Sequence, residues 1–331
     1  MIRAIISALS LALLFWECTA QDTFSIVAVD SETGEVGCAG ASCVDLSGFG
    51  LGDDFLGELF PNQGAINSQA YYIPQNQNNA RFRMNAGDSA NEIIDWLIAN
   101  DVEGTPEFRQ YGVVRLGENG VEVAGHTGTS TDDYKGHIVG SNYCIQGNIL
   151  LGEQVLNNMA FNFENAEGDL ACKLMAAMQG ANIIGADTRC TDNGSSSLFA
   201  FLKVAQPDDN FGNPSFLVSV RTQDGDGIEP IDSLQTLFDA AKSCGIVSTT
   251  DTKLTFDETR LYPNPFTSKL KVDLPDGAKF RFAFQNVDGG YVYGYQYLGK
   301  GEFDVSILPS GVYFVSLEIN EQMFIHKVVK R

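Results

Sequence analysis

Thr23 to Asp30 alternates between apolar and small or polar positions and runs into Asp30-Ser31-Glu32-Thr33-Gly34, a polar turn with glycine at its exit. Val36 to Cys43 follows as a run of small and apolar residues, so the two segments predict a β-hairpin with a buried face. Residues 45–87 are rich in Gly, Asn and Gln, and no period there selects helix over strand. Asp88-Ser89 then caps an amphipathic helix whose stripe is Ile93, Ile94, Leu97 and Ile98. Tyr111 to Leu116 and Val121 to Ala124 flank Gly117-Glu118-Asn119-Gly120, a second hairpin. From Ile149 to Met178 a helical period occurs twice, with Leu150, Val155 and Met159 in the first helix and Leu170, Leu174, Met175 and Met178 in the second. Leu198 to Val204 and Ser215 to Val220 read as strands, and Asp232 opens a helix through Leu234, Leu237 and Phe238. Strands, helix, strands, paired helices, strands, helix: that order predicts a layered α+β domain with helices covering sheet faces.

Both ends of the chain follow other patterns. Arg3 precedes the apolar run Ala4 to Trp16, and Cys18-Thr19-Ala20 offers the small residues a signal peptidase reads, so residues 1–20 predict an export signal cut after Ala20. The run is too short for a membrane span, and no other stretch approaches about 18 apolar residues. The polar stretch Ser248-Thr249-Thr250-Asp251-Thr252 reads as a linker, placed at 248–258, which separates a domain at 21–247 from a second at 259–331. The second has no helical period. Its strands are expected at Lys269 to Leu274, Phe280 to Asn286, Tyr291 to Tyr297, Val312 to Ile319 and Phe324 to Lys330, a small all-β sandwich.

Charge sharpens this division. The chain of 331 residues has a net charge of −21, and residues 21–247 carry 31 acidic against 10 basic side chains while 248–331 balance. Such a surface repels phosphate backbones and argues against a nucleic-acid partner. Six cysteines follow the signal: Cys38, Cys43, Cys144, Cys172, Cys190 and Cys244. An even number in an exported chain favours disulfides, with the pairing open. Cys38 and Cys43 lack zinc-ligand spacing, so neither a metal nor a cofactor is expected. Gly40-Ala41-Ser42-Cys43-Val44 lacks the closing glycine of a nucleophile elbow, and neither a Walker loop nor H-E-x-x-H occurs. Asp224-Gly225-Asp226-Gly227 reads as a turn rather than a calcium loop.

Two resemblances cover most of the chain. Leu261-Tyr262-Pro263-Asn264-Pro265-Phe266, Asp288-Gly289-Gly290, Leu308-Pro309-Ser310-Gly311-Val312-Tyr313-Phe314 and the basic end Lys327-Val328-Val329-Lys330-Arg331 resemble the C-terminal sorting domain of the type IX secretion system. Pro263 and Pro265 are expected to fix an extended lead-in to the first strand, and Ser310-Gly311 to turn before an aromatic strand. The resemblance implies passage across the outer membrane of a Bacteroidetes-like cell. Its partners would be the secretion machinery and the sorting peptidase that removes the domain, leaving the protein secreted or on the cell surface.

Thr23-Phe24-Ser25-Ile26-Val27-Ala28-Val29-Asp30 and Thr33-Gly34-Glu35-Val36-Gly37 resemble the opening of domain-of-unknown-function family 1028. Asn85 to Asp101, Arg109-Gln110-Tyr111-Gly112-Val113-Val114, Thr127-Gly128, Gln146-Gly147-Asn148-Ile149-Leu150, Gly185-Ala186-Asp187-Thr188-Arg189 and Glu229-Pro230-Ile231 extend the likeness over residues 23–240. That family looks like the N-terminal-nucleophile hydrolases, which implies a four-layer αββα sandwich and a first residue that attacks an amide carbonyl. Thr23 is then both nucleophile and, through its freed α-amine, base. Asn148 is placed to stabilise an oxyanion, and small amides or peptides are the substrate class.

Two departures bear on this. Cleavage after Ala20 leaves Gln21 and Asp22 ahead of Thr23, so a further cut is needed. The basic residue that relatives carry near the end of the second strand is missing from Ala41-Ser42-Cys43-Val44-Asp45, and Arg189 is the substitute, from another strand. Simpler readings stand beside these: Thr23 as an ordinary strand residue, Asp187 with Arg189 as an internal ion pair, and Asn148 as a turn or cap at the start of the first paired helix. By the same token His126 reads as a loop residue and Tyr71-Tyr72 as buried aromatics. The alternative function is a non-catalytic surface or binding protein on the same fold.

Overall fold

The computed structural model describes residues 23–48, 50–244, 260–273, 279–285, 291–298, 301–306, 308–319 and 322–331; the expected export signal and linker lie outside them. In chain order the first part consists of β1 (Thr23–Val29), β2 (Val36–Ser42), β3 (Gly57–Phe60), β4 (Gly64–Gln69), α1 (Pro74–Ala86), α2 (Ala90–Ala99), β5 (Gln110–Gly117) and β6 (Gly120–Thr127). It continues with β7 (Gly136–Val139), β8 (Tyr143–Gly147), α3 (Gln154–Asn165), α4 (Leu170–Gly180), β9 (Phe199–Ala205), β10 (Phe216–Arg221) and α5 (Pro230–Ala241). Both sheets are antiparallel. One runs β10-β9-β2-β1-β8-β7 and the other β3-β4-β5-β6.

Successive side chains of a strand point to opposite faces, and here that parity sorts the core. In β1, Phe24, Ile26 and Ala28 join a cluster with α3, α4 and α5, while Val27 and Val29 join one that includes Ala65 of β4 and Val114 of β5. β4 and β5 divide likewise, with Ile66, Tyr111 and Val113 packing against Ala80 and Met84 of α1 and Ile93, Ile94 and Leu97 of α2. This is a mixed α/β unit of five helices and antiparallel sheets. Every residue of β1 and β2 is buried, which is why their sequences are apolar or small on both faces apart from Thr23, Ser25 and Ser42. Gly37 lets α4 approach β2: an added Cβ would meet Leu174 Cδ1 at 2.6 Å.

Local signals set most boundaries. Ser89 and Glu92 form a capping box at α2, with Ser89 N donating to Glu92 Oε2 at 2.8 Å. α5 begins at Pro230 rather than Asp232, because the Glu229 side chain accepts from Ile231 N (2.9 Å) and a proline at the first position has no N–H to satisfy. Leu150 lies outside α3 and pairs as an isolated bridge with Asp187. α1 starts on Pro74 and ends at Gly87 in the left-handed conformation (φ 89°). Its buried face is Asn76, Gln77, Ala80 and Met84, which explains why no hydropathy period announces it.

Two disulfides form, Cys43–Cys190 and Cys172–Cys244. Cys38 and Cys144 remain buried thiols, contrary to full pairing, and burial pushes each up to about 12. Register gives the reason: both lie opposite Val27, on either side of β1. They are thus two strand spacings apart, about 9.5 Å, too far for a bridge.

In the C-terminal part β11 (Arg260–Tyr262), β12 (Lys269–Asp273), β13 (Lys279–Gln285), β14 (Tyr291–Leu298), β15 (Gly301–Asp304), β16 (Gly311–Ile319) and β17 (Gln322–Lys330) form sheets β11-β12-β15 and β14-β13-β16-β17. Phe266, Leu270, Val272, Phe303, Val315 and Leu317 share one core with Phe284 and Val328. Pro263 and Pro265 precede β12, the strand expected from Lys269, and the short β11 comes before them. Between them Asn264 accepts from Val329 N and donates to Lys327 O, both at 2.9 Å, tying this turn to β17.

Candidate active site

Along most of the space between the two large sheets the inward side chains are apolar, among them Val27, Val29, Leu59, Val114, Phe199 and Phe201. Toward Thr23 the same alternation delivers polar ones. Thr23 and Ser25 of β1, Ser42 of β2, Gln146 of β8, Asn67 and Gln69 of β4 and Gln110 of β5 are all buried there. Gly112 makes room for one of them, since a Cβ on it would lie 2.0 Å from Gln146 Oε1.

Gln110 is the hub. Its Nε2 faces the carbonyls of Gly136 (3.0 Å) and Gly147 (2.9 Å) and the hydroxyl of Thr127 (2.9 Å). Carbonyls only accept, so this end of the amide must be nitrogen. Oε1 then accepts from Gln69 Nε2 (2.6 Å) and Asn148 Nδ2 (3.0 Å). Gln69 Nε2 also donates to Thr23 O (3.1 Å); its Oε1 accepts from Ser25 Oγ, which accepts from Gln146 Nε2, both at 2.5 Å. Backbone carbonyls at three points therefore set the direction of every amide from Gln146 to Asn148.

Asn148 follows β8 directly and does not cap a helix; α3 begins only at Gln154. Its backbone N donates to Thr23 O at 3.1 Å, extending the β1–β8 ladder by one residue. Its side-chain Oδ1 is buried and meets no donor.

Asp187 and Arg189 belong to the single helical turn Thr188–Cys190 and its cap, not to a strand. The wholly buried Asp187 carboxylate accepts from Arg189 Nη2 (2.8 Å) and Nε (3.1 Å) and from Cys43 N (2.8 Å). They form an ion pair, and the Cys43–Cys190 disulfide holds its turn to the residue after β2. Ser42, the last residue of β2, lies opposite Thr23. Thus Thr23, Asn148 and the Asp187–Arg189 pair gather at one end of three adjacent strands.

Behind Asp187, its N donates to Ser196 O (3.1 Å), and Glu229 accepts from Ser196 N and Oγ, both at 2.6 Å. Burial raises the Glu229 carboxyl to about 7.

Sequence reasoning did not single out Ser25, Ser42, Gln69, Gln110, Gln146 or Glu229 as site residues. The available signal was a polar side chain at an inward position of an otherwise apolar strand, as with Gln110 before Tyr111-Gly112-Val113-Val114. His126 lies on β6 rather than in a loop, stacked 6.1 Å from Tyr111 with Nε2 at 3.2 Å from Pro106 O. Tyr71 and Tyr72 pack edge-on against Phe108 and Phe55, each at 5.1 Å. At Asp224–Gly227 the Asp226 N–H donates to Gln223 O (3.3 Å) within a turn, and the Gly225 N–H donates to Asn193 Oδ1 (2.7 Å), tying that turn to the segment before β9. Among the described residues, no three His, Cys, Asp or Glu side chains are grouped to hold a metal.

Residues 260–331 match the secretion system C-terminal sorting domain. That domain directs the protein through type IX secretion to the cell surface or the extracellular space. Among the described residues no helix is long and apolar enough to cross a membrane. None of the curated proteins matches the chain. The crystal structure of protein SPO2555 from Silicibacter pomeroyi, described as DUF1028, aligns at 21% identity and a TM-score of 0.51, over 67% of this chain and 90% of that one. That likeness is one of fold. The BSP domain of a biofilm associated protein aligns over 94% of this chain and 52% of its own at 9% identity, but with a TM-score of 0.19, too low to carry an argument. The family of unknown function DUF1028 matches residues 23–232, from the first residue of β1 into α5, and the chain belongs to that family.

Proposed function

We propose that the protein is an exported amide-bond hydrolase of N-terminal-nucleophile type. The reading includes an αββα layering in residues 21–247, a β-sandwich in 259–331, a signal cut after Ala20 and a Bacteroidetes-like host. It also includes a second cut that makes Thr23 the first residue. What carries it is the polar end of the inter-sheet space, where Thr23, Asn148 and the Asp187–Arg189 pair converge.

In the proposed reaction Thr23 Oγ attacks the substrate carbonyl and its proton passes to the Thr23 α-amine. The amine hands that proton to the leaving nitrogen as the C–N bond breaks. Water then cleaves the threonyl ester, returning the hydroxyl. Asn148 Nδ2, with one hydrogen on Gln110, retains a second for the oxyanion. Arg189 supplies the cation that relatives place near the end of β2; the Cys43–Cys190 bridge brings it there.

Thr23 is wholly buried in the uncut chain, which favours a second reading for any form that keeps Gln21 and Asp22: a non-catalytic surface protein. Sequencing the N-terminus of secreted material separates the two. Thr23 first is expected for the enzyme, and retained Gln21 or its cyclised form removes the hydrolase reading. On a panel of amides and muropeptides, Thr23→Ala is expected to lower turnover at least 1,000-fold (~10³) while export and circular dichroism stay unchanged.

A further inference from the structure

The amide of Asn148 cannot be turned around to relieve its orphan atom. Gly136 O and Gly147 O fix Gln110 Nε2, so Gln110 Oε1 faces Asn148 and only a donor fits opposite it. Oδ1 is therefore held, buried and without a donor, beside the first residue of β1. An unmet buried acceptor costs about 1–3 kcal/mol, so a group that donates to it is favoured by the fold itself.

Register identifies the nitrogen. Asn148 N donates to Thr23 O, and in an extended strand the N–H and C=O of one residue point the same way. The Thr23 nitrogen thus lies on the β8 side of β1, facing Asn148. While peptide-linked it carries a single hydrogen; freed by a cut before Thr23 it is an ammonium with three.

We infer that Asn148 Oδ1 is the acceptor for the freed α-amino group of Thr23, so that one fixed amide positions the base through its oxygen and the oxyanion through its nitrogen. This rests on the reading that Thr23 becomes the first residue. The titratable and charged groups linked to this end are Asp187 and Arg189, beside the end of β2, and His137, whose Nδ1 lies 2.8 Å from Thr127 Oγ1 next to Gln110.

The test uses residues 23–331 released from a fusion whose protease leaves Thr23 first, so it depends neither on natural processing nor on amidase activity. The titration of the Thr23 α-amine is followed by NMR in threonine-labelled protein. Asn148→Asp sets a carboxylate against the ammonium and is expected to raise the amine pKa by about one unit or more. Asn148→Ala removes the acceptor and is expected to lower it. Gln146→Glu, two residues back on the same face, is the control and is expected to move it less than Asn148→Asp does. Either Asn148 variant alone decides if the other fails to fold. An unmoved amine pKa, or an equal shift in the control, overturns the proposal while leaving Thr23 as nucleophile. Secreted protein still beginning at Gln21 overturns the underlying reading instead.

Discussion

At Gln110 both ends of one side-chain amide are committed. Gly136 O, Gly147 O and Thr127 Oγ1 face its nitrogen, and Gln69 and Asn148 donate to its oxygen. Gln110→Leu keeps the volume and strands those groups inside a closed space. Each unmet group costs about 1–3 kcal/mol, so the unfolding free energy from urea titration is expected to fall by about 3 kcal/mol or more. The exposed Gln75→Leu is expected to change it by under about 0.5 kcal/mol. At this scale the resemblance to family 1028 pointed to Thr23, Asn148, Asp187 and Arg189 as candidates, but not to Gln110 or Gln69, which bond to each other, to Asn148 and to Thr23 O. A glutamine on a strand reads as a solvent-facing position; only pairing with a second sheet turns that face inward.

Among the elements, the two disulfides make a natural comparison. Cys43–Cys190 closes a sequence separation of 147 and Cys172–Cys244 one of 72. Chain entropy alone assigns them about 5 and about 4 kcal/mol, nearly equal. Their neighbourhoods differ: the first ties the Asp187–Arg189 turn to the end of β2, the second ties α4 to the residues after α5. Replacing Cys43 and Cys190 with serine is expected to lower both melting temperature and amide turnover. Replacing Cys172 and Cys244 is expected to lower the melting temperature by a similar amount and leave turnover per folded molecule unchanged. Equal turnover in the two variants would detach the Asp187–Arg189 pair from the chemistry. Neither pairing was legible in sequence, because each joins segments brought together only by the sheet. The elements themselves divide on the same principle. α2 and the β1–β2 and β5–β6 hairpins were legible from apolar period and turn chemistry. α1 hides because Asn76 and Gln77 are among its buried side chains, with Asn76 Nδ2 donating to Asp101 Oδ2 (2.7 Å). β7 and β8 are four and five residues long, too short to show a period.

For the whole molecule, charge and burial act together on stability as pH changes. The acidic excess lies in residues 21–247, so that unit repels itself most near neutrality, and acidification relieves it. Glu229 adds to this trend. Its folded carboxyl is raised to about 7 by burial, above the ordinary 4.5, so its contribution is fully present below about 4.5 and is lost as pH rises through about 7. His137 runs the other way. Burial, then the neighbouring His126, lower its pKa, so its contribution is present above the usual 6.5 and is lost as pH falls through its lowered folded value. Asp101 is also lowered, by Arg109 and its other hydrogen-bond donors overcoming burial, so its contribution is lost only as pH falls below the ordinary 3.8. Between pH 5 and 7 the wild-type curve is thus a difference of opposing terms, and Glu229→Gln isolates one of them. Urea unfolding at pH 5 and pH 7 is expected to show wild-type protein gaining more on acidification than the variant, by about 2 kcal/mol. The variant is less stable than wild type at pH 5, because the amide nitrogen that replaces Oε2 cannot accept from Ser196 N, while the remaining oxygen keeps Ser196 Oγ and Ile231 N. Parallel pH dependences in the two proteins would mean that Glu229 keeps an ordinary carboxyl in the folded state, and the strap from Ser196 to Asp187 would then be held by a charge throughout this range.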